Sequence, residues 1–350
     1  MKALQLIANG QPGKFELREI PDPMPKSGEV VLDVKACGLN HLDLWLEEAG
    51  LPIPPQLPRT PGGEAAGVIA SIGERASGFS PGDPDWKVGD RVAIQSNVFC
   101  GECEFCQAGE ESMCLRSELL GVQRDGGFAE KVVVPARCLV ALPDKVSFET
   151  SAALTLAGST AMHMLTARTQ VNRGDWLLVI GASSGVGSAA IQIGKTLGAR
   201  VITTGSTEEK RRLGLKLGAD FVIDSNDPKW PAEVRRLTNK RGVDVVVEHV
   251  GGDVLVKVFE CLARGGTVVT CGATAGREVT LNLWPFFVKQ QRLIGSYGRN
   301  RSDMRATLDW AAEGKLKPVI HSTYPLSNGE EAFRVLRERK VLGKVVIKPD

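Results

Sequence analysis

The chain has 350 residues, 43% of them hydrophobic, with 43 basic and 41 acidic side chains for a net charge of +2. That length exceeds one hydrophobic core and points to two domains, while the balanced charge provides no overall field to attract a polyanion, so nucleic acid is not an expected partner. The start MKALQLIANGQPGKFELREI has no apolar centre of a signal peptide, and no apolar run approaches the roughly 18 residues that span a bilayer; no membrane partner and a cytoplasmic location are expected.

The first segment, residues 1–150, carries short alternating or β-branched runs such as GEVVLDVKACG, GGEAAGVIASIG, DRVAIQS and AEKVVVPA. Pro and Gly clusters, LPIPPQLPRTPGG and GFSPGDPDWKVGD among them, separate these runs, which reads as an irregular β domain. Residues 151–297 change texture. A helical stretch, TSAALTLAGSTAMHMLTAR, leads into DWLLVIGASSGVGSAAIQIGKTLGARVITTG, which reads as strand, glycine turn, helix and strand, and further strand–helix units follow. Strands apolar on both faces that alternate with amphipathic helices predict a parallel sheet covered on each side. In residues 298–350, helices are expected at MRATLDWAAEGK and NGEEAFRVLRERK, and the closing strand GKVVIKPD is expected to return to the first domain.

Within NVFCGECEFCQAGEESMC, Cys100, Cys103, Cys106 and Cys114 form C-x2-C-x2-C-x7-C. Four thiolates at this spacing can close a tetrahedron around zinc with no open position, which predicts one structural zinc; an iron–sulfur cluster is the competing metal, although the spacing does not match ferredoxin patterns. The other cysteines, Cys37, Cys138, Cys261 and Cys271, read as small core residues.

The turn Gly181–Gly187 between an apolar strand and a helix lets backbone amides approach a pyrophosphate, which would sit at the helix N-terminus. Ala182 and Ser184 replace the first two glycines of the strict G-x-G-x-x-G pattern, and both are small enough to fit. Ser184, Gly185, Val186 and Gly187 are the expected pyrophosphate residues. At the end of the second strand, where an NAD enzyme presents an acid to the ribose, stands Gly205, followed by the hydroxyls of Ser206 and Thr207 and the cations Lys210, Arg211 and Arg212. A 2′-phosphate is favoured there over a bare ribose, so NADP is the expected cofactor, with NAD as the alternative.

Taken together, GLNHLDLW, the cysteine loop, DGGFAEKVVVPA, GASSGVG and GVDVVVEHVGG resemble the medium-chain dehydrogenase/reductase superfamily, in its zinc-binding alcohol dehydrogenase and quinone reductase branches. The resemblance covers essentially the whole chain. It implies an α/β protein with a GroES-like β-barrel joined to a Rossmann doubly wound parallel sheet, an active cleft between them, and a homodimer or homotetramer. Alcohol dehydrogenases of this family hold a catalytic zinc on a Cys, a His and a second Cys. Carried over, these positions are Cys37, Gly63 and Leu156, so one ligand survives of three, and the relay hydroxyl falls on Leu39. A rebuilt site from Cys37, His41 and Glu64 is the competing arrangement.

Without a Lewis acid, nothing offsets the alkoxide charge that develops when an isolated carbonyl is reduced. A conjugated acceptor spreads that charge into an enolate, and the zinc-free quinone and enoyl reductases that the chain resembles do this chemistry. The expected activity is therefore hydride transfer from NAD(P)H to a quinone, enone or enoyl compound. By the same resemblance, Asn40 is expected to contact substrate or nicotinamide ribose and Asp43 to organise the helix start, with helix capping as the alternative for both. Thr160, Gly272 and Tyr297 are expected at the cofactor, and the turn at His249 to Gly251 lies within its reach. His163 and His321 read as structural, and Trp45, Trp284, Phe286 and Phe287 as an apolar cleft or as core. A zinc alcohol dehydrogenase with a non-standard metal site, and a nucleotide-binding protein without turnover, are the competing functions.

Overall fold

In the computed structural model, which describes residues 1–53, 55–76 and 84–350, the chain divides into two units. The first comprises Met1–Leu156, Arg299–Gly314 and Pro318–Asp350; the second comprises Ala157–Gly298 with Lys315–Lys317. Pro54 of the LPIPPQLPRTPGG cluster and residues 77–83 of the GFSPGDPDWKVGD cluster lie outside the described residues.

The first unit is built around the strand Glu29–Leu39, whose β-branched residues are buried along nearly its whole length. It pairs antiparallel with Glu64–Ile72, Lys131–Pro135 and Lys344–Lys348. The seven-stranded sheet runs Ile320–Pro325, Lys344–Lys348, Glu29–Leu39, Glu64–Ile72, Arg91–Ile94 and Leu139–Ala141, with Lys131–Pro135 paired separately to the central strand. The closing strand pairs with Glu29–Leu39 in the first unit and brings the parallel neighbour Ile320–Pro325, which the sequence pattern did not identify. Leu32, Ile69, Ile94, Phe128, Leu139, Val345 and Ile347 share one core.

The division between units falls at Leu156/Ala157, beyond the expected position at residue 150. Its cause is the helix Phe148–Leu154, whose start is capped by Ser147 accepting from the Thr150 N–H at 3.1 Å. Ala152 and Ala153 on that helix pack against Ala36 and Val346 of the sheet, which ties the helix to the first unit. The single helical stretch expected here is broken: a second helix begins at Ala157 and runs to Met162, followed by a π-helical turn over His163–Arg168.

The second unit is a six-stranded, wholly parallel sheet. Its strand order is Phe221–Asp224, Arg200–Gly205, Trp176–Val179, Val243–Glu248, Leu262–Thr270 and Arg292–Gly295. In chain order that is 3-2-1-4-5-6, the doubly wound order whose topological switch lies between the first and fourth strands. The aromatics Trp284, Phe286 and Phe287 lie on the helix Leu283–Val288. Phe286 packs edge-on against Phe259 at 5.8 Å, whereas Trp284 and Phe287 are exposed, so these three aromatics do not line a common apolar wall. Among the described residues no helix is long and apolar enough to cross a membrane.

Candidate active site and metal centre

The glycine turn follows the strand Trp176–Val179 directly. Gly181 has φ of +75°, and a Cβ on Gly187 would lie 2.0 Å from the Gly181 carbonyl oxygen, so the helix can pack onto the turn only with glycine at 187. Ser184 caps the helix Gly185–Thr196: its hydroxyl accepts the Gly187 N–H at 2.8 Å. Gly185 and Val186, the first residues of that helix, are half-buried and open its electropositive end. A cavity of about 210 Å³ opens beside the turn, lined among others by Gly181, Ser183, Ser206, Lys210, Ser225 and Trp230. Its volume, its flat buried indole and its position at the carboxyl ends of the strands fit an adenosine moiety.

Of the three cations read after the second strand, Lys210 lines this cavity. Arg211 is drawn away to Asp224 at 2.9 Å and to the Gly205 carbonyl at 3.1 Å, and Arg212 pairs with Glu208 at 2.8 Å, one helical turn back. Thr207 serves as the N-cap of the helix Glu208–Lys216, accepting from the Lys210 N–H at 3.3 Å. Ser206 lines the cavity. Gly272 follows the strand Leu262–Thr270, where a Cβ would meet the His249 carbonyl oxygen at 2.6 Å. Thr160 is buried on the helix Ala157–Met162, and Tyr297, just past the edge strand, is exposed. Sequence reasoning missed Trp230 and Ser225, because a Trp and a Ser in loop or helix positions carry no periodic or motif signal.

The four cysteines of the loop converge, with ligand atoms all within 4.8 Å of one another. Cys103 and Cys106 sulfurs lie 3.4 Å apart, and those of Cys100 and Cys106 3.9 Å apart. A tetrahedral zinc with sulfur ligands at about 2.3 Å requires sulfur–sulfur edges of about 3.8 Å, so the donor set fits the ion. Backbone amides already face the sulfurs: Glu102 and Cys103 donate to Cys100 at 3.4 Å each, and Cys100 donates to Cys114 at 3.2 Å. Such donors stabilise thiolates, and with them the Cys100 thiol is pulled down to about 6. The loop is anchored from the C-terminal return, where Asn300 accepts from the Ser112 N–H at 3.0 Å and donates to Glu110 at 2.8 Å.

A second polar cluster lies buried beside the central strand of the first unit. The Lys344 ammonium contacts Glu64 Oε2 at 2.8 Å and donates to the Leu39 carbonyl at 2.8 Å and to Asn40 Oδ1 at 2.5 Å. Asn40 Nδ2 donates to the Gly38 carbonyl at 3.1 Å and to Glu64 Oε2 at 2.9 Å, and the Leu156 N–H donates to Glu64 Oε1 at 2.6 Å. Asn40 and Asp43 form a capping box at the helix His41–Glu47, with Asp43 accepting from the Asn40 N–H at 2.8 Å and from the Gly62 N–H at 3.2 Å. Burial pushes the Asp43 carboxyl up to about 6 against these donors.

Cys37, His41 and Glu64 do not form a ligand group: among the described residues only the four loop cysteines bring three or more such atoms together. Burial and the nearby Asp43 hold the Cys37 thiol well above its usual range, and Gly63 and Leu156 carry no side-chain donor to join it. His41 instead stands edge-on to Trp45 at 5.8 Å. The donor set at Cys37, Gly63 and Leu156 therefore does not fit a catalytic zinc. Lys344 was missed as a site residue; its only trace in the sequence is a basic residue opening the apolar run Val345–Ile347 of a buried strand.

A glycine turn at the switch point of a doubly wound sheet, in one chain with a β unit that carries a four-cysteine loop, defines a two-domain dinucleotide oxidoreductase. Residues 26–144 match the family described as alcohol dehydrogenase GroES-like domain, and residues 185–313 the family described as zinc-binding dehydrogenase. The chain belongs to the medium-chain dehydrogenase/reductase superfamily. It is 33% identical to an alcohol dehydrogenase of Geobacillus stearothermophilus over 96% of each chain. It is 31% identical to an acryloyl-coenzyme A reductase of Sulfurisphaera tokodaii over 100% of each. The crystal structure of an NAD-dependent alcohol dehydrogenase superposes with a TM-score of 0.93 at 40% identity, covering 100% of both chains.

Proposed function

We propose that this protein is an NADPH-preferring reductase that transfers hydride to a conjugated acceptor, a quinone, enone or enoyl compound, without a catalytic metal. The observation that carries the reading is the pair Lys344–Glu64, 2.8 Å apart. Glu64, the one carboxylate of the carried-over metal region, is committed to a lysine, and Gly63 and Leu156 offer no side-chain ligand. With no electrophilic ion, the acceptor itself must delocalise the developing charge. The similarity to an acryloyl-coenzyme A reductase supports this substrate class.

When bound, the reduced dinucleotide supplies the hydride. The chain's residues bind and orient it: the Gly185 and Val186 amides hold the pyrophosphate at the turn that Ser184 and Gly187 shape, while Ser206, Thr207 and Lys210 hold the 2′-phosphate. Thr160, Gly272 and Tyr297 complete the cofactor contacts in this reading. The capping box and the Lys344 bonds support positioning roles for Asn40 and Asp43, which hold the segment that opens at residue 40. The four loop cysteines hold one structural zinc, and the protein works in the cytoplasm as a homodimer or homotetramer.

The names of the alcohol dehydrogenase relatives favour a second reading, alcohol oxidation at a non-standard metal site. One experiment separates the two: NADPH oxidation against quinones, enones, enoyl thioesters and aldehydes, with zinc counted on the same sample. Turnover of conjugated acceptors with one zinc per chain is expected. Turnover confined to aldehydes with two zinc ions per chain would overturn the proposal, and tight NADPH binding with no turnover of any acceptor would identify a binding protein.

A further inference from the structure

His249 follows the strand Val243–Glu248, the fourth strand of the sheet, and lies at the switch point beside the first. The Ile180 N–H donates to the Val247 carbonyl at 3.1 Å, so the parallel pairing carries His249 alongside the glycine turn. Its ring packs against Gly181, where a Cβ would sit 3.5 Å from Cε1. Its Nε2 is 3.0 Å from the Ser184 hydroxyl, the group that also accepts the Gly187 N–H at 2.8 Å and lies 3.1 Å from the Gly181 carbonyl oxygen.

Ser184 can answer both protonation states of the ring. Against a neutral imidazole that carries its proton on Nδ1, the hydroxyl donates to Nε2. Against an imidazolium, Nε2–H donates to Ser184 and the hydroxyl turns to the Gly181 carbonyl; the Gly187 N–H is accepted in either case. We propose that His249 is a proton-linked positioning residue of the dinucleotide site, taking up a fraction of a proton per site from solvent as the pyrophosphate docks and holding the turn through Ser184.

The surroundings set the sign. Burial holds the imidazole below its ordinary value, while the Glu248 carboxylate and the Ile180 carbonyl favour the charged form. Glu248 is itself consumed by the Val250 and Gly251 amides at 2.6 and 2.7 Å and by the Thr270 hydroxyl at 2.8 Å. The other titratable or charged groups nearby are Cys271, whose buried thiol is pushed up to about 12, and Lys210, which lines the adjoining cavity. A pyrophosphate adds two negative charges beside the ring and raises its proton affinity, so binding takes up a proton, and affinity is lost as pH rises through the value of the bound state.

The proposal rests on the dinucleotide reading of this turn. Its test is calorimetric titration of the full-length protein with NADP+ across the ordinary imidazole range, in two buffers of different ionisation enthalpy, for the wild type and for His249→Gln. Gln keeps a donor and acceptor for Ser184 but never becomes charged. The titration of the 2′-phosphate is common to both proteins and cancels. The wild-type protein is expected to take up a fraction of a proton more than His249→Gln does, and to lose up to about tenfold more affinity as pH rises by two units. Equal proton uptake and equal pH dependence in the two proteins would overturn the proposal alone. Failure of both NADP+ and NAD+ to bind would overturn the dinucleotide reading with it. If His249→Gln does not fold, His249→Asn replaces it in the same comparison.

Discussion

Lys344, the first residue of the last strand, contacts Glu64, the first residue of the strand two places across the sheet, at 2.8 Å, with their side chains 5% and 0% exposed. Both charges lie out of water. Their attraction alone would not offset desolvation, but Lys344 also donates to Leu39 and Asn40 and Glu64 also accepts from Asn40 and Leu156, so the pair is complete.

Removing one partner of such a pair leaves a buried charge uncompensated. Lys344→Met is expected to destabilise the protein by about 3–5 kcal/mol in urea unfolding. Adding Glu64→Gln should recover a large part of that loss. A double variant no more stable than Lys344→Met would show that the two residues are not coupled.

The cysteine loop should hold metal for stability alone. Cys103→Ser is expected to bring zinc from one per chain to well below one and to lower the melting temperature by several degrees, since each kcal/mol is worth about 2–4 °C in a chain of this size class. Unchanged melting after complete metal removal would contradict a structural role.

On the proposed reading, Lys210 sets the cofactor preference. With Arg211 and Arg212 tied to Asp224 and Glu208, Lys210→Ala should raise the KM for NADPH about tenfold or more and leave the KM for NADH nearly unchanged, because one charge-assisted bond is worth about 1.5–3 kcal/mol. Equal changes for the two cofactors would show that the lysine does not read the 2′-phosphate.

Acid should stabilise before it destabilises. Asp43 ionises at about 6 in the fold against an ordinary 3.8, and burial raises Glu47 and Glu111 in the same direction. A raised carboxyl contributes stability that is fully present below its unfolded value and is lost as pH rises through its folded one. From pH 7 down to pH 5, Asp43 therefore adds roughly 1–2 kcal/mol, seen as a higher urea midpoint. Asp43→Asn should lose that contribution, and identical profiles for the wild type and Asp43→Asn over the same interval would refute the assignment.

Local chemistry made much of this protein legible in its sequence. Glycines 181 and 187 follow from a strand that must turn tightly into a helix, the four cysteines from ligand spacing inside one loop, and the parallel sheet from strands apolar on both faces. Each of these depends on neighbours within a few residues. What the tertiary structure decided depends on residues distant in the chain: that Lys344 faces Glu64, that Arg211 and Arg212 are spent on carboxylates while Lys210 reaches a cavity, and that His249 meets Ser184. A buried charge is tolerated only where its partner arrives, and sheet pairing, which no local pattern specifies, determines that arrival.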